Sequence, residues 1–311
     1  MSLFLVNWLA STPGFAAPYA LAALGLIISE RAGVLSLGAE GFLLVGALAG
    51  VAASLTFGGH PAVALVAAMV ATAAVSLIFA LLVVYLRVNQ VIAGLAIVFF
   101  CEGLTDLIGT LFGWTDQPIS GLHAMAIWPL SAIPIIGRIF FTQDVVVYLT
   151  VPIFLFVSYV LLHSNIGLRL RAVGESPETA DAAGINISLY RLGAVLAGSA
   201  LVGLAGGYLS VGDIKLWVPN ISNGRGWIAI ALVIFARWQP WRALLGALIF
   251  GGIEALIPRI AAAGIQVPQY FVLMTPYVAT LAVMAWAGMS KVGWSNEPGA
   301  LGRPHVREER H

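Results

Sequence analysis

Charged side chains are scarce: 15 Lys+Arg and 14 Asp+Glu make up 9% of the 311 residues, whereas a soluble domain carries about 25%. That shortage excludes an ordinary water-soluble fold. Cysteine occurs once, at Cys101, which excludes an intramolecular disulfide and any cysteine-based zinc cluster. Inside its apolar run Cys101 reads as a small buried hydrophobe. No Lys or Arg precedes Arg31, so the basic start of a cleaved secretory signal is missing and the first apolar stretch is expected to be retained. No Gly-x-x-x-x-Gly-Lys-Ser/Thr phosphate loop occurs, so the chain is not expected to bind ATP in that manner. The histidines His60, His123, His163, His305 and His311 are scattered, with no nucleophile-base or metal-ligand spacing, which argues against an intramembrane enzyme. A formal net charge of +1 supplies no field that would draw nucleic acid.

What is abundant is apolar sequence, 60% of the chain. The runs are continuous and Leu/Ala-rich, without the ten-residue alternation of a membrane barrel. At about 20 residues per crossing, the gaps between charges predict about nine transmembrane helices, near 14–29, 34–57, 62–86, 90–112, 144–163, 191–211, 223–236, 242–257 and 269–289. Residues 41–86 hold no Asp, Glu, Lys or Arg and are too long for one helix; Gly58-Gly59-His60-Pro61 divides them. The fold class is all-α, a polytopic membrane domain over 1–289 followed by a polar tail over 290–311. The outer loop 113–143 is expected to hold short interfacial or re-entrant helices, and the tail to be poorly ordered. Placing the N-terminus outside leaves Arg138, Lys215, Arg225 and Arg259 on the outer side and the other eleven Lys and Arg on the inner side. That bias sets the loop 164–190 and the C-terminal tail in the cytoplasm.

The loop carries its own helix signals. Ser176 suits an N-cap, Pro177 the first helical position, Glu178 and Asp181 the positive helix start, and Gly184 the C-cap, giving a short helix of about two turns. Its small surface, including Ala180 and Ala182, permits close approach by another protein.

The stretch from Gly167 to Arg191, GLRLRAVGESPETADAAGINISLYR, resembles the coupling loop of permease subunits from ATP-binding-cassette importers of the sugar and nucleoside group. Four further blocks resemble the same family in its order: Glu30 to Gly41 (ERAGVLSLGAEG), Asn89 to Ala96 (NQVIAGLA), Asn223 to Pro240 (NGRGWIAIALVIFARWQP) and Met274 to Leu281 (MTPYVATL). The resemblance runs from residue 30 to 281 and points to the nucleoside branch. It implies an inner-membrane (plasma-membrane) importer of bacterial type and no enzyme activity or cofactor of the chain itself. The implied partners are a separate ATPase subunit docking on Gly174, Glu175, Pro177, Ala180, Asp181, Ala182 and Gly184, a second similar permease chain, and an extracytoplasmic solute-binding protein or lipoprotein. Permeases for simple sugars or branched-chain amino acids are the neighbouring alternatives, and an ion-coupled secondary carrier is the alternative from another class.

Ionisable groups inside spans are costly and mark interiors or cavities. Glu40 and Arg225 are set apart because glycines flank both: Gly38-x-Glu40-Gly41 and Gly224-Arg225-Gly226 each open a helix. Glu40, Asn89, Asn223 and Arg225 are therefore the candidate pathway residues. Each has a plainer reading: Glu40 holds nearby backbone, Arg225 reaches the outer headgroups, and Asn89 caps a helix. Glu102, Asp106 and Glu254 read as structural or interface acids. Gly193, Gly198, Gly203, Gly206 and Gly207 suit close helix packing in lipid.

Overall fold

The computed structural model describes residues 2–133, 135–262, 271, 274, 278, 281, 282, 285 and 297–304. Among the described residues the apolar runs fold as α1 (Ser2–Arg31), α2 (Ala39–Thr56), α3 (Pro61–Ala80), α4 (Gln90–Leu111), α5 (Ile136–Phe140), α6 (Val145–His163), α7 (Asn165–Glu175), α8 (Pro177–Ala182), α9 (Ile187–Tyr208), α10 (Arg225–Ala236) and α11 (Pro240–Ala262). Five-residue π-helical turns extend α3 through Leu81–Tyr85 and α9 through Leu209–Asp213. Seven helices, α1, α2, α3, α4, α6, α9 and α11, are long and apolar enough to cross a bilayer. The chain is a polytopic helical membrane protein.

Local chemistry sets the helix starts. The Asn89 side-chain oxygen accepts from the Val91 and Ile92 N–H groups at 2.9 and 3.2 Å, and Asp144 does the same for Val146 and Val147. Both satisfy donors that a helix N-terminus leaves open. Pro61 begins α3 where its missing N–H costs nothing. The loop over 113–143 forms the five-residue α5, a single 3-10 turn at Leu130–Ala132 and a two-residue ribbon pairing Met125–Ala126 with Thr142–Gln143.

Two expectations change. The stretch 223–236 forms α10, only 12 residues or about 18 Å long, against a hydrocarbon core of about 30 Å. Composition reveals that this segment is apolar but not how far it reaches. The tail residues 297–304 are not loose, because they hydrogen-bond to the helical body at Gly33, Gly174 and Arg191. The span expected over 269–289 and the rest of the tail lie outside the described residues, apart from isolated helical positions within 271–285.

α9 occupies the centre, with α1, α2 and α3 packed on its small face. A Cβ on Gly198 would overlap the Gly25 carbonyl oxygen of α1, and one on Gly206 the Leu43 carbonyl oxygen of α2. At Gly203 the nearest atom is Thr72 Oγ1 of α3, 2.5 Å from the Cβ position. Gly193 differs: a Cβ there meets nothing within 4 Å, and it borders an apolar cleft of about 1170 Å³ between α3, α6 and α9. Lipid offers no hydrophobic drive between helices, so backbone approach of this kind supplies the packing energy. Gly206→Val must therefore push α2 from α9, at about 3 kcal/mol or more. Its membrane abundance and detergent melting temperature are expected to fall well below wild type, and wild-type values for both would contradict this packing.

Candidate functional site

Two non-helical segments enter the helical body and meet. Residues 32–38, between α1 and α2, run alongside α4. The Leu35 N–H donates to Gln90 Oε1 at 2.7 Å, and Cβ atoms on Gly94 and Gly41 would lie 2.8 Å from Leu37 and 2.9 Å from Cys101. Along α4 that climb from Gln90 to Cys101 covers about 16 Å. The second segment, 214–224, joins α9 to α10 and hydrogen-bonds with the 113–143 loop, Asp116 N–H to Trp217 O at 2.9 Å and Ile119 N–H to Lys215 O at 3.0 Å. α10 ends against the C-terminal end of α1: the Trp238 indole N–H donates to Glu30 Oε2 at 2.5 Å, and Arg31 donates to the Trp238 carbonyl at 3.1 Å. α10 runs for 12 residues, about 18 Å, which is shorter than a hydrocarbon core of about 30 Å. Irregular backbone is tolerated there only where protein buries it or it lines a water-filled cavity.

Glu40 joins the two segments. It is buried, and Oε1 accepts from Ser222 Oγ at 2.6 Å and Gly224 N–H at 2.8 Å, while Oε2 accepts from Gly226 N–H at 2.7 Å. A carboxylate of α2 thus caps α10, from 186 residues away in sequence for the last bond. The positive end of the α10 dipole stabilises the negative charge. Gly226 has no side chain for a steric reason, since a Cβ would stand 2.5 Å from Glu40 N and Cα. The backbone that Glu40 holds is distant in sequence rather than its own neighbours.

Arg225 points elsewhere. Its Nη2 pairs with Glu254 Oε1 of α11, and Glu254 Oε2 accepts from the Tyr19 hydroxyl of α1 at 2.8 Å. Arg225 Nη1 also donates to the Ile221 and Ser222 carbonyls at 3.4 Å. The Arg225 and Glu254 side chains are 13% and 17% exposed, so each charge leaves bulk water only with its partner. A pair like this contributes modestly when intact and costs several kcal/mol when one side is removed. Arg225 thus spends its guanidinium on a carboxylate of α11 and on two backbone carbonyls of the 214–224 segment.

The four pathway candidates separate. Glu40, Asn223 and Arg225 gather at the break; Asn89 sits at the start of α4 and spends its oxygen on the cap. Asn223 adopts φ +46° and is exposed. In a bilayer an exposed amide requires water or another protein chain, because lipid satisfies none of its hydrogen bonds. Sequence reading missed Ser222, Tyr19 and Trp238 as partners of these charges, and nothing local marks them. Asp144, which accepts the Tyr208 hydroxyl at 2.6 Å, was legible only as an acid before an apolar run. Among the described residues no group of three His, Cys, Asp or Glu side chains could hold a metal ion.

At the other end of the molecule, α7 and α8 follow one another with Ser176 as joint cap. Ser176 Oγ accepts from Thr179 N–H at 3.4 Å, and Gly184, at φ +78°, ends the turn. α8 is six residues long, shorter than two turns. Glu175, Ala182 and Gly184 are exposed and Asp181 half-buried, while Gly174, Pro177 and Ala180 face inward. Ala180 packs with Val173 and Ile187, so it supports the helix and does not form its outer surface.

Known proteins match along almost the whole chain. A putative glucose ABC transporter permease protein of Haloferax volcanii is 37% identical over 310 residues, covering 91% of this chain and 92% of that protein. A guanosine ABC transporter permease protein of Bacillus subtilis is 35% identical, covering 95% of each, and a nucleoside ABC transporter permease protein of Lactococcus lactis 32%, covering 87% and 89%. Residues 9–285, which include every helix of the break and the α7–α8 turn, match the model of one family; the chain belongs to that family, the branched-chain amino acid transport system permease components.

Proposed function

We propose that this chain is the membrane-spanning subunit of an ATP-driven importer and translocates a nucleoside delivered by an external binding protein or lipoprotein. The observation that carries the substrate class is the 35% identity to a guanosine permease over 95% of both chains. ATP hydrolysis belongs to a separate ATPase subunit that docks on the exposed side of α8, and a second permease chain completes the channel. The pathway passes the break at Glu40, Asn223 and Arg225, where the exposed Asn223 calls for water or a partner chain. Asn89 joins it at the inner end. The chain sits in the inner membrane, N-terminus outside, with the 164–190 loop and the tail over 290–311 in the cytoplasm. Affinity resides in the external protein, since a permease that held its solute tightly would release it slowly.

A simple-sugar substrate is the second reading, supported by the 37% identity to a putative glucose permease. Radiolabelled nucleoside, glucose and leucine uptake in cells expressing all subunits separates the classes. Saturable, ATP-dependent nucleoside uptake, not competed by glucose or leucine, is the expected result. Glucose or leucine uptake in its place overturns the substrate class. Nucleoside uptake into vesicles driven by an ion gradient without ATP overturns the importer reading in favour of an ion-coupled carrier.

A further inference from the structure

The segment 297–304 returns to the end of the molecule that carries α7 and α8. The Ala300 N–H donates to the Gly174 carbonyl at 2.9 Å and the Gly302 N–H to the Gly33 carbonyl at 3.3 Å. The Gly299 N–H reaches Glu175 Oε2 at 3.3 Å, and Arg191 Nη1 donates to the Arg303 carbonyl at 3.2 Å. Pro298 and Ala300 are buried. Backbone is therefore stitched to three elements at once: the end of α7, the turn after α1 and the first turn of α9.

The fit depends on two glycines. Gly33 has φ +85°, and a Cβ there would lie 3.1 Å from Arg191 Nη2 and 3.4 Å from both the Ala300 carbonyl and Gly174 Cα. A Cβ on Gly174 would overlap the Arg31 carbonyl. The Gly174 carbonyl belongs to the last turn of α7, where helix carbonyls lack intrahelical partners, and Ala300 supplies the missing donor. No linker separates this point from α8, because Ser176 closes α7 and caps α8. On the far side of α8, Arg191 is 3% exposed; among the described residues its Nε and Nη2 find no hydrogen-bond partner. The Arg303 carbonyl is the partner that the described residues offer this buried guanidinium, and a buried charge stripped of its partner is strongly unfavourable. The α8–α9 turn also borders a cavity of about 380 Å³ lined by Tyr85, Arg87, Asp181, Asn186 and Arg191. That turn has space beside it.

We propose that residues 297–304 are a strap that positions the coupling helices: it holds both ends of the α7–α8–α9 turn to the Gly33 segment, so that movement of α8 is passed to the 32–38 segment and on to Glu40. This rests on the reading of α8 as the ATPase dock. Without the strap, the exposed side of α8 is intact and the ATPase still binds, but α8 moves into the adjoining space and hydrolysis no longer drives the membrane helices. The strap residues touch no solute; they act through α7 and Arg191.

The test uses the assembled complex in proteoliposomes, reading bound ATPase, ATP hydrolysis and solute transported per ATP. Ala300→Pro deletes one N–H donor, Ala300→Ser keeps it, and two truncations remove 298–311 or only 305–311. Ala300→Pro and the longer truncation are expected to retain the ATPase subunit and its hydrolysis; in Ala300→Pro transport per ATP falls about tenfold, the effect of one buried hydrogen bond and its orphaned carbonyl, and in the longer truncation, which also removes the Gly299, Gly302 and Arg303 bonds, it falls at least as far. Ala300→Ser and the shorter truncation should match wild type. If the longer truncation fails to accumulate, Ala300→Pro decides. An unchanged transport ratio in Ala300→Pro overturns the strap, and so does loss of ATPase binding in that variant, which would make the segment part of the dock. Failure of the docking reading itself shows separately, as intact coupling in Ala182→Arg.

Discussion

Glu40→Leu is expected to abolish transport and lower the melting temperature of the solubilised complex by about 10 °C or more, the size expected for several kcal/mol lost in a chain of this length. Leucine accepts no hydrogen bond, so the Ser222 hydroxyl and the Gly224 and Gly226 N–H groups lose the acceptors they now have within 2.8 Å. Each orphaned donor costs about 1–3 kcal/mol in a buried site. The N-terminus of α10 also loses its counter-charge. Glu40→Gln separates the contributions: its carbonyl can still accept from Ser222 and Gly224, but its amino group opposes the Gly226 N–H. Glutamine is therefore expected to retain part of the stability and a reduced uptake. Differential scanning fluorimetry and nucleoside uptake at equal membrane abundance are the measurements. A leucine variant with wild-type stability would show that the two broken segments hold together without this carboxylate.

Ala182→Arg is expected to eliminate solute-stimulated ATP hydrolysis without harming the fold. Ala182 is exposed on α8, and an arginine there extends into solvent in the isolated chain. In the docked complex the same side chain must be desolvated against a surface that has no partner for it, which costs several kcal/mol; docking then weakens by about a hundredfold or more, at tenfold per 1.4 kcal/mol. Membrane insertion and melting temperature should match wild type. Ala180→Arg should behave differently, because Ala180 is 2% exposed in the cluster with Val173 and Ile187, and its substitution should damage the helix itself. ATPase co-purification and hydrolysis measure both variants. Full coupling in Ala182→Arg would remove α8 as the dock.

Short-range chemistry was legible from the residues. Asn89, Ser176 and Pro177 sit where cap rules put them, because a cap is a hydrogen bond between groups three or fewer residues apart and needs no knowledge of the rest of the chain. The glycine-flanked charges mark the starts of α2 and α10 for the same local reason. Scarce charge and continuous apolar runs were sufficient for a helical membrane protein, since lipid admits few other ways to satisfy a backbone.

What only the tertiary structure decided is where those marked positions go. Hydropathy reports that 223–236 is apolar but not that α10 is limited to 12 residues, because its ends are set by the neighbours that hold them, here Glu40 at one and Glu30 with Arg31 at the other. The partners of Arg225, Glu254 and Tyr19, lie on α11 and α1, and their pairing follows from helix packing and not from spacing along the chain. The inward face of Ala180 and the return of residues 297–304 to Gly174 are of the same kind. The sequence by itself determined the helices, their caps and the membrane as solvent, since each depends on composition or on neighbours within one turn. Which charges meet, which glycines admit another backbone and which surface of α8 stays open were set by contacts between distant residues, such as Tyr19 and Glu254, 235 positions apart, where desolvation leaves a buried charge no alternative to its partner.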